Sequence, residues 1–218
     1  MIKLSNSTIS IFRECPLCFW LQFRMGIKRP DTIFPSLPSG MDMVIKHYFD
    51  SFRGKALPPE LKGLDGARLF DDVMLLNAWR SMMKGIIYED KTLDATLKGV
   101  VDDMLVIDGK MVILDFKTRG FPLKEDTHRH YQGQLDIYTY LLEKNGFDAG
   151  HYGYLLFYYP DKIIDSGVVM FDTKPVKMDT NPMNAEAVFR SAVECLRSDE
   201  PPQPSAGCGH CMYAAARK

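Results

Sequence analysis

Gly99-Val100-Val101-Asp102-Asp103-Met104-Leu105-Val106-Ile107-Asp108-Gly109-Lys110-Met111-Val112-Ile113-Leu114-Asp115-Phe116-Lys117-Thr118 reads as a β-hairpin. The apolar runs Val100 to Ile107 and Met111 to Phe116 flank Asp108-Gly109, a pair suited to the positive φ angles of a two-residue turn. Pairing across that turn brings Asp102 and Asp115 to neighbouring ends of adjacent strands. Side chains alternate between the faces of a strand, so Asp115 and Lys117 share one face and Phe116 takes the other. Asp103 faces away from Asp102 on a regular strand, and a bulge would exchange the two. Two carboxylates beside an ammonium are what metal-assisted hydrolysis of a phosphodiester requires: the oxygens hold hard cations, and the lysine steadies an attacking water or the developing charge. An aspartate inside Val112-Ile113-Leu114-x-Phe116 is costly to bury without a partner, so Asp115 binds something. A salt bridge to Lys117 alone is the other way to meet that cost.

Working outward, Ser5 or Ser7 can cap a helix carrying Ile9, Phe12 and Phe19, and Pro16 forces a break or a fresh helical start near Cys15-Pro16. Lys28 to Gly40, with Pro30, Pro35 and Pro38, reads as a loop. A helix from about Met41 to Phe52 follows, then a loop around Pro58-Pro59 and a helix over Leu69 to Met83 bearing Trp79. Strands are expected over Leu97–Ile107, Met111–Thr118, Tyr152–Tyr159 and Gly167–Phe171. Between the second and third, a helix from about His130 to Lys144 carries Tyr131, Leu135, Tyr138 and Leu142 as one apolar stripe. Asn181 can cap a last helix with Pro182 at its first position and Ala185, Val188, Ala192 and Cys195 on its buried face. This order predicts an α/β fold, a mixed central sheet flanked by helices. One domain is expected: a helical part over about 4–90, a core over about 95–175, and a C-terminal helix and cysteine tail over about 181–218.

The cysteines form two pairs, Cys15-x-x-Cys18 and Cys208-x-x-Cys211, with Cys195 apart in a helix stripe. Four thiolates at this spacing can hold Zn²⁺ tetrahedrally or an iron–sulfur cluster, clasping the two ends of the chain, and His210 could substitute as a ligand. The alternative is that Cys15 and Cys18 pack as small hydrophobes.

The 218 residues suffice for a substantial core, and 46% hydrophobic with 25% charged residues is ordinary for a globular protein. No apolar run approaches membrane-spanning length and the N-terminus lacks a signal-peptide pattern, so an intracellular, cytoplasmic protein without a membrane partner is expected. A net charge of −1 argues against a broad duplex clamp. Any nucleic-acid surface must be local, around Arg24, Lys28 and Arg29, or around Lys117, Arg119, Lys124, His128, Arg129 and His130.

The series Gly99-x-x-Asp102, Asp115-x-Lys117 and a helical Gln134-x-x-x-Tyr138 resembles the PD-(D/E)XK nuclease superfamily. Ser5-x-Ser7, Phe12, Cys15-Pro16 and Phe19 make it most similar to the RecB-like branch that includes CRISPR-associated exonucleases. The resemblance spans roughly residues 4 to 142. It implies a restriction-endonuclease-like core and a Mg²⁺- or Mn²⁺-dependent DNA nuclease acting on single strands or ends. It assigns the cation to Asp102, Asp115 and the Phe116 carbonyl, and places Lys117, Gln134 and Tyr138 in the active site. The branch has a histidine on its second helix, four residues after a glycine, as an extra metal ligand; here that position is Val44, and His47, on roughly the same face, is the candidate ligand or else a structural residue, with Asp42 and Asp50 as nearby oxygen donors. Relatives with an iron–sulfur cluster use one early and three late cysteines, whereas this chain has two and two. The competing class is a nucleic-acid-binding or assembly module that keeps the fold with weak or no catalysis.

Overall fold

The computed structural model describes residues 1–30 and 36–216. Strand β1 (Ile2–Ser5) leads into α1 (Asn6–Glu14), whose cap is reciprocal: Ser5 Oγ accepts from the Thr8 amide and the Thr8 hydroxyl accepts from the Ser5 amide. Cys15 is extended and Pro16 opens α2 (Pro16–Arg24), because a proline at the first helical position loses no hydrogen bond. The indole of Trp20 donates to the Ser198 carbonyl at 3.0 Å, fixing α2 to the far end of the chain.

Helix α3 spans Ser36–Phe52, so the expected loop over Lys28–Gly40 ends earlier than predicted. Pro38 is accommodated in the first turn, where backbone N–H groups have no helical partner; Pro35 lies outside the described residues. A short 3₁₀ turn at Pro59–Leu61 follows. The helix expected over 69–83 divides instead. Leu69 belongs to β2 (Ala67–Leu69), Asp72 caps Leu75, and α4 covers only Val73–Arg80.

The expected strand over Leu97–Ile107 is two strands in two sheets. β4 (Ala95–Gly99) lies between β1, parallel to it, and β3 (Ile86–Asp90), antiparallel, in a three-stranded sheet. β5 (Asp103–Ile107) and β6 (Lys110–Thr118) form the hairpin of the second sheet, ordered β2, β5, β6, β7 (Ala149–Ile164) and β8 (Val168–Asp179). The tight turn is as read from sequence, with φ of 50° at Asp108 and 79° at Gly109. β6 and β7 are parallel and the other neighbours antiparallel, giving a mixed sheet. β7 and β8 outrun the predicted 152–159 and 167–171. Their far ends pair only with each other, because β6 stops opposite Tyr158, and they project Ile163, Ile164, Val168 and Val169 into solvent.

Helix α5 (Gln132–Lys144), preceded by a 3₁₀ turn at Thr127–Tyr131, packs with α6 (Pro182–Arg197) on one face of the sheet. Asn181 caps α6 as expected, but its buried stripe is Ala185, Phe189, Ala192, Val193 and Leu196, with Val188 and Cys195 half-buried at its edge. On the opposite face Ile45 and Phe49 of α3 pack on Leu114, Phe116, Leu156 and Tyr158. A final short helix, α7 (Gly209–Ala215), returns the C-terminal cysteines to α2. Among the described residues, no helix is long and apolar enough to cross a membrane.

Candidate active site

The hairpin register pairs Asp103 with Leu114, so one residue beyond the strand end Asp102 stands opposite Asp115. Alternation sorts the side chains. Ile113 and Met104 face the α5 core, and Asp102, Asp115 and Lys117 follow them to that side. Leu114, Phe116 and Leu105 face α3. The chain leaves the sheet at 100–102 because its polar groups are engaged elsewhere. The Phe116 amide donates to Asp102 Oδ2 at 3.0 Å, and the Val100 carbonyl accepts the Tyr138 hydroxyl at 2.6 Å.

Gly99 has a packing role. A Cβ there would lie 2.7 Å from Leu141 Cδ1 and 2.9 Å from Tyr138 Cδ1, so only glycine lets α5 cross β4 this closely. That close crossing sets Gln134 over the carboxylates. Its amide nitrogen donates to Asp115 Oδ1 at 2.8 Å and to the Tyr138 hydroxyl at 3.0 Å, and its oxygen accepts from Lys117 Nζ at 3.0 Å. Lys117 also ion-pairs with Asp115 and lies 4.6 Å from the centre of the Tyr131 ring. Asp115 Oδ2 faces that ammonium without receiving a directed hydrogen bond, although the residue is only 1% exposed. Burial pushes the Asp115 carboxyl up, Lys117 pulls it back and Asp102 raises it again, leaving it at about 7. For Lys117, burial works against the charged form, but Asp115 outweighs it and the ammonium is held above its usual range. Tyr138 is buried, its hydroxyl proton committed to Val100, so it braces Gln134 and the 100–102 corner.

Helix α3 contributes differently from the sequence expectation. His47 and Val44 are exposed, turned away from the hairpin. Ile45 and Phe49 anchor α3 in the core, and the side chain brought to Asp102 is Lys46, at 2.9 Å from Oδ1 and also 2.7 Å from Asp42 Oδ2. Burial lowers the Lys46 pKa and Asp102 and Asp42 more than reverse it. The Asp42–Lys46 spacing of four was the one local signal for this pair. Asp50 does not join the site. With Arg53 and Arg80 it surrounds buried Asp103: Arg53 Nη2 donates to Asp103 Oδ2 at 2.8 Å and Arg80 Nη2 at 2.9 Å. Arg80 Nε also donates to the Asp102 carbonyl at 2.6 Å, which ties this network to the site. Neither arginine stood out in the sequence, because the buried partner they share, Asp103, is distant from both in the chain.

Asp102, one residue before the start of β5, and Asp115, on β6, suit a hard divalent cation: they are near enough that Asp102 raises the Asp115 carboxyl, and Asp115 is fixed in the sheet by backbone hydrogen bonds. The Phe116 carbonyl points to the same strand edge as its amide, beyond the end of β5, where no strand partner takes it up.

The second constellation joins the chain ends. Cys15, Cys18, Cys208 and Cys211 place their sulfurs within 4.8 Å of one another, with separations of 3.6 Å (Cys18–Cys208, Cys18–Cys211) and 3.7 Å (Cys15–Cys211). All are free thiols, so the four could hold a metal ion. Cys195 stands apart at the edge of the main core. Of the predicted basic residues, Arg24 ion-pairs with Asp199 and Arg29 with Glu14.

The family model of the PD-(D/E)XK nuclease superfamily matches residues 52–216, which takes in both aspartates, Lys117, Gln134 and the late cysteines. No curated protein matches the chain.

Proposed function

Because the chain belongs to the PD-(D/E)XK nuclease superfamily, we propose that it is a divalent-metal-dependent DNA nuclease acting on single strands or ends, with Asp102 and Asp115 as its cation ligands. The observation that carries this reading is the register-opposed carboxylate pair, with Asp115 buried against the Lys117 ammonium. The Phe116 carbonyl completes the ligand set. Mg²⁺ or Mn²⁺ bound there supplies Lewis-acid polarisation of the phosphoryl group and activation of water. Gln134 holds Asp115 and Lys117 in fixed relation through its two ends, so neither can swing away. The Lys117 ammonium, paired and largely buried, steadies the negative charge that builds at the phosphoryl oxygens. Tyr138 positions Gln134 and takes no part in proton transfer, since its own proton is committed to Val100.

A narrow substrate fits the surroundings. A cleft of about 690 Å³ lined by Lys3, Ser5, Ser7, Met82, Met83 and Lys98 runs up to Val100 and Tyr138. The net charge of −1 supports a short local contact in place of a duplex clamp. The RecB-like assignment draws on the Ser5 cap, the Cys15-Pro16 break and the cysteine clasp, of which the first two precede residue 52, where the family match begins.

For the cysteine centre we favour one tetrahedral ion, Zn²⁺, over a cluster. Sulfurs 2.3 Å from a common zinc are about 3.8 Å apart, close to the separations of 3.6–3.7 Å found here. Elemental analysis giving one zinc per chain, in a colourless protein, is the expected result; a brown protein containing iron would overturn it.

The function is tested by cleavage of end-labelled single- and double-stranded DNA with Mg²⁺, Mn²⁺ or chelator. Metal-dependent cleavage preferring single strands or ends is expected, lost in Asp115→Asn. One observation favours the second reading, a binding module: both carboxylates already have an ammonium partner, Lys46 and Lys117. DNA binding with no cleavage under any metal condition would select it.

A further inference from the structure

We propose that Lys46 occupies the place of a second cation, making the carboxylate site a one-ion site with a built-in ammonium; the inference rests on the metal-site reading above. The polar contacts of the two aspartates divide unequally. Asp102 Oδ2 takes the Phe116 amide at 3.0 Å, and Asp115 Oδ1 takes the Gln134 amide at 2.8 Å. Asp115 Oδ2 faces Lys117 without a directed hydrogen bond and, with Asp102, can share one ion. Asp102 Oδ1 is taken by Lys46 Nζ at 2.9 Å. A second divalent ion on that outer oxygen would have to displace this ammonium.

Three features keep Lys46 in place. Its side chain is only 17% exposed, Asp42 holds it from one helical turn earlier at 2.7 Å, and neighbouring Ile45 is locked into the core at 3% exposure. The ammonium therefore sits at a fixed point between two carboxylates contributed by different elements, as a bound cation would. Asp42 and Asp102 Oδ1 are hard oxygen donors, so removing the ammonium leaves a pair able to take a divalent ion in its stead. A fixed positive charge also lowers the affinity of any cation bound a few ångströms away.

The test measures Mn²⁺ binding by the paramagnetic resonance of free Mn²⁺, on full-length protein with its cysteine centre as isolated. Manganese prefers oxygen over thiolate donors and so reports on the carboxylates. Wild type is expected to bind one Mn²⁺, lost in Asp102→Asn. Lys46→Met should bind a second Mn²⁺ and hold the first about tenfold more tightly, and Lys46→Arg, which keeps the charge, should match wild type. Circular dichroism checks that each variant folds, and Lys46→Gln replaces Lys46→Met if the latter does not. Two Asp102-dependent ions in wild type, or unchanged stoichiometry and affinity in Lys46→Met, would overturn the Lys46 assignment and leave the metal site standing. No Mn²⁺ bound by any variant would overturn both.

Discussion

The carboxylate site and the cysteine centre are both assembled from distant parts of the chain, yet they are stabilised in opposite ways. At the first, each aspartate faces its own cation: Lys46 for Asp102, Lys117 for Asp115, and Arg53 with Arg80 for the adjacent Asp103. Such a site has its carboxylates paired within the chain, so on the reading proposed above a divalent ion there would be dispensable to the fold. At the second, the sulfurs face mainly one another at 3.6–3.7 Å, held there by α2 and α7. An ion bound among those thiols closes a loop from Cys15 to Cys211 and its binding energy becomes folding energy. A metal tuned for chemistry and one tuned for stability should therefore separate cleanly under mutation.

The largest effect should fall on activity alone. Asp102→Asn and Asp115→Asn are each expected to slow cleavage by about 10³-fold or more, and in Asp102→Asn, where Lys46 keeps Asp42 as its partner, the thermal midpoint should stay within a few degrees of wild type; calorimetry beside a cleavage time course checks both. Cys18→Ser should do the reverse. Loss of the ion is expected to cost about 3 kcal/mol, lowering the midpoint by about 6–12 °C, with the bound-metal content falling from one to none by elemental analysis. Activity measured well below the new midpoint should persist. If Cys18→Ser kept both its metal and its midpoint, the contrast between the centres would fail.

Within the carboxylate region the comparison sharpens between neighbours. Asp103 is 0% exposed and held by two guanidinium groups, so Arg53→Met leaves a buried carboxylate with Arg80 as its one remaining ion-pair partner among the described residues. The expected loss is about 3 kcal/mol by denaturant titration, and adding Asp103→Leu should restore most of it. The smallest effect belongs to Asp90, a buried carboxylate far from either centre. The Thr92 hydroxyl, with the Thr92 and Leu93 amides, holds its pKa below the ordinary 3.8 against the effect of burial. The folded protein thus binds this proton less readily than the unfolded chain. The stabilisation is complete above about 3.8 and disappears as the pH falls through the folded value. Asp90→Asn should lower the midpoint slightly at neutral pH and flatten its acid limb below pH 4, read from thermal melts across pH.

What could be read in advance was local. Asp108-Gly109 announced its turn, alternation separated Asp115 and Lys117 from Phe116, and helical spacing put Gln134 and Tyr138 on one face. The residues overlooked all act across the chain. Lys46 reaches Asp102 from 56 positions away, and Arg53 and Arg80 reach Asp103 from 50 and 23. The reading of 97–107 as one strand failed because apolar content does not reveal that Val100 and Asp102 spend their polar groups on Tyr138 and Phe116. The two Cys-x-x-Cys pairs were visible, but their meeting depends on α7 returning to α2.

By itself, the order of residues determined the hairpin, the face on which each strand residue lies, the helix breaks at Pro16 and Pro182, and the family. Short-range sterics and two simple periods suffice for these. Tertiary structure alone decided which side of α3 meets the carboxylates. Successive residues of a helix are about 100° apart, so burying Ile45 and Phe49 brings Lys46 beside Asp102 and turns His47 to solvent. A helix offers every face equally until packing selects one, and that selection is a property of the whole core.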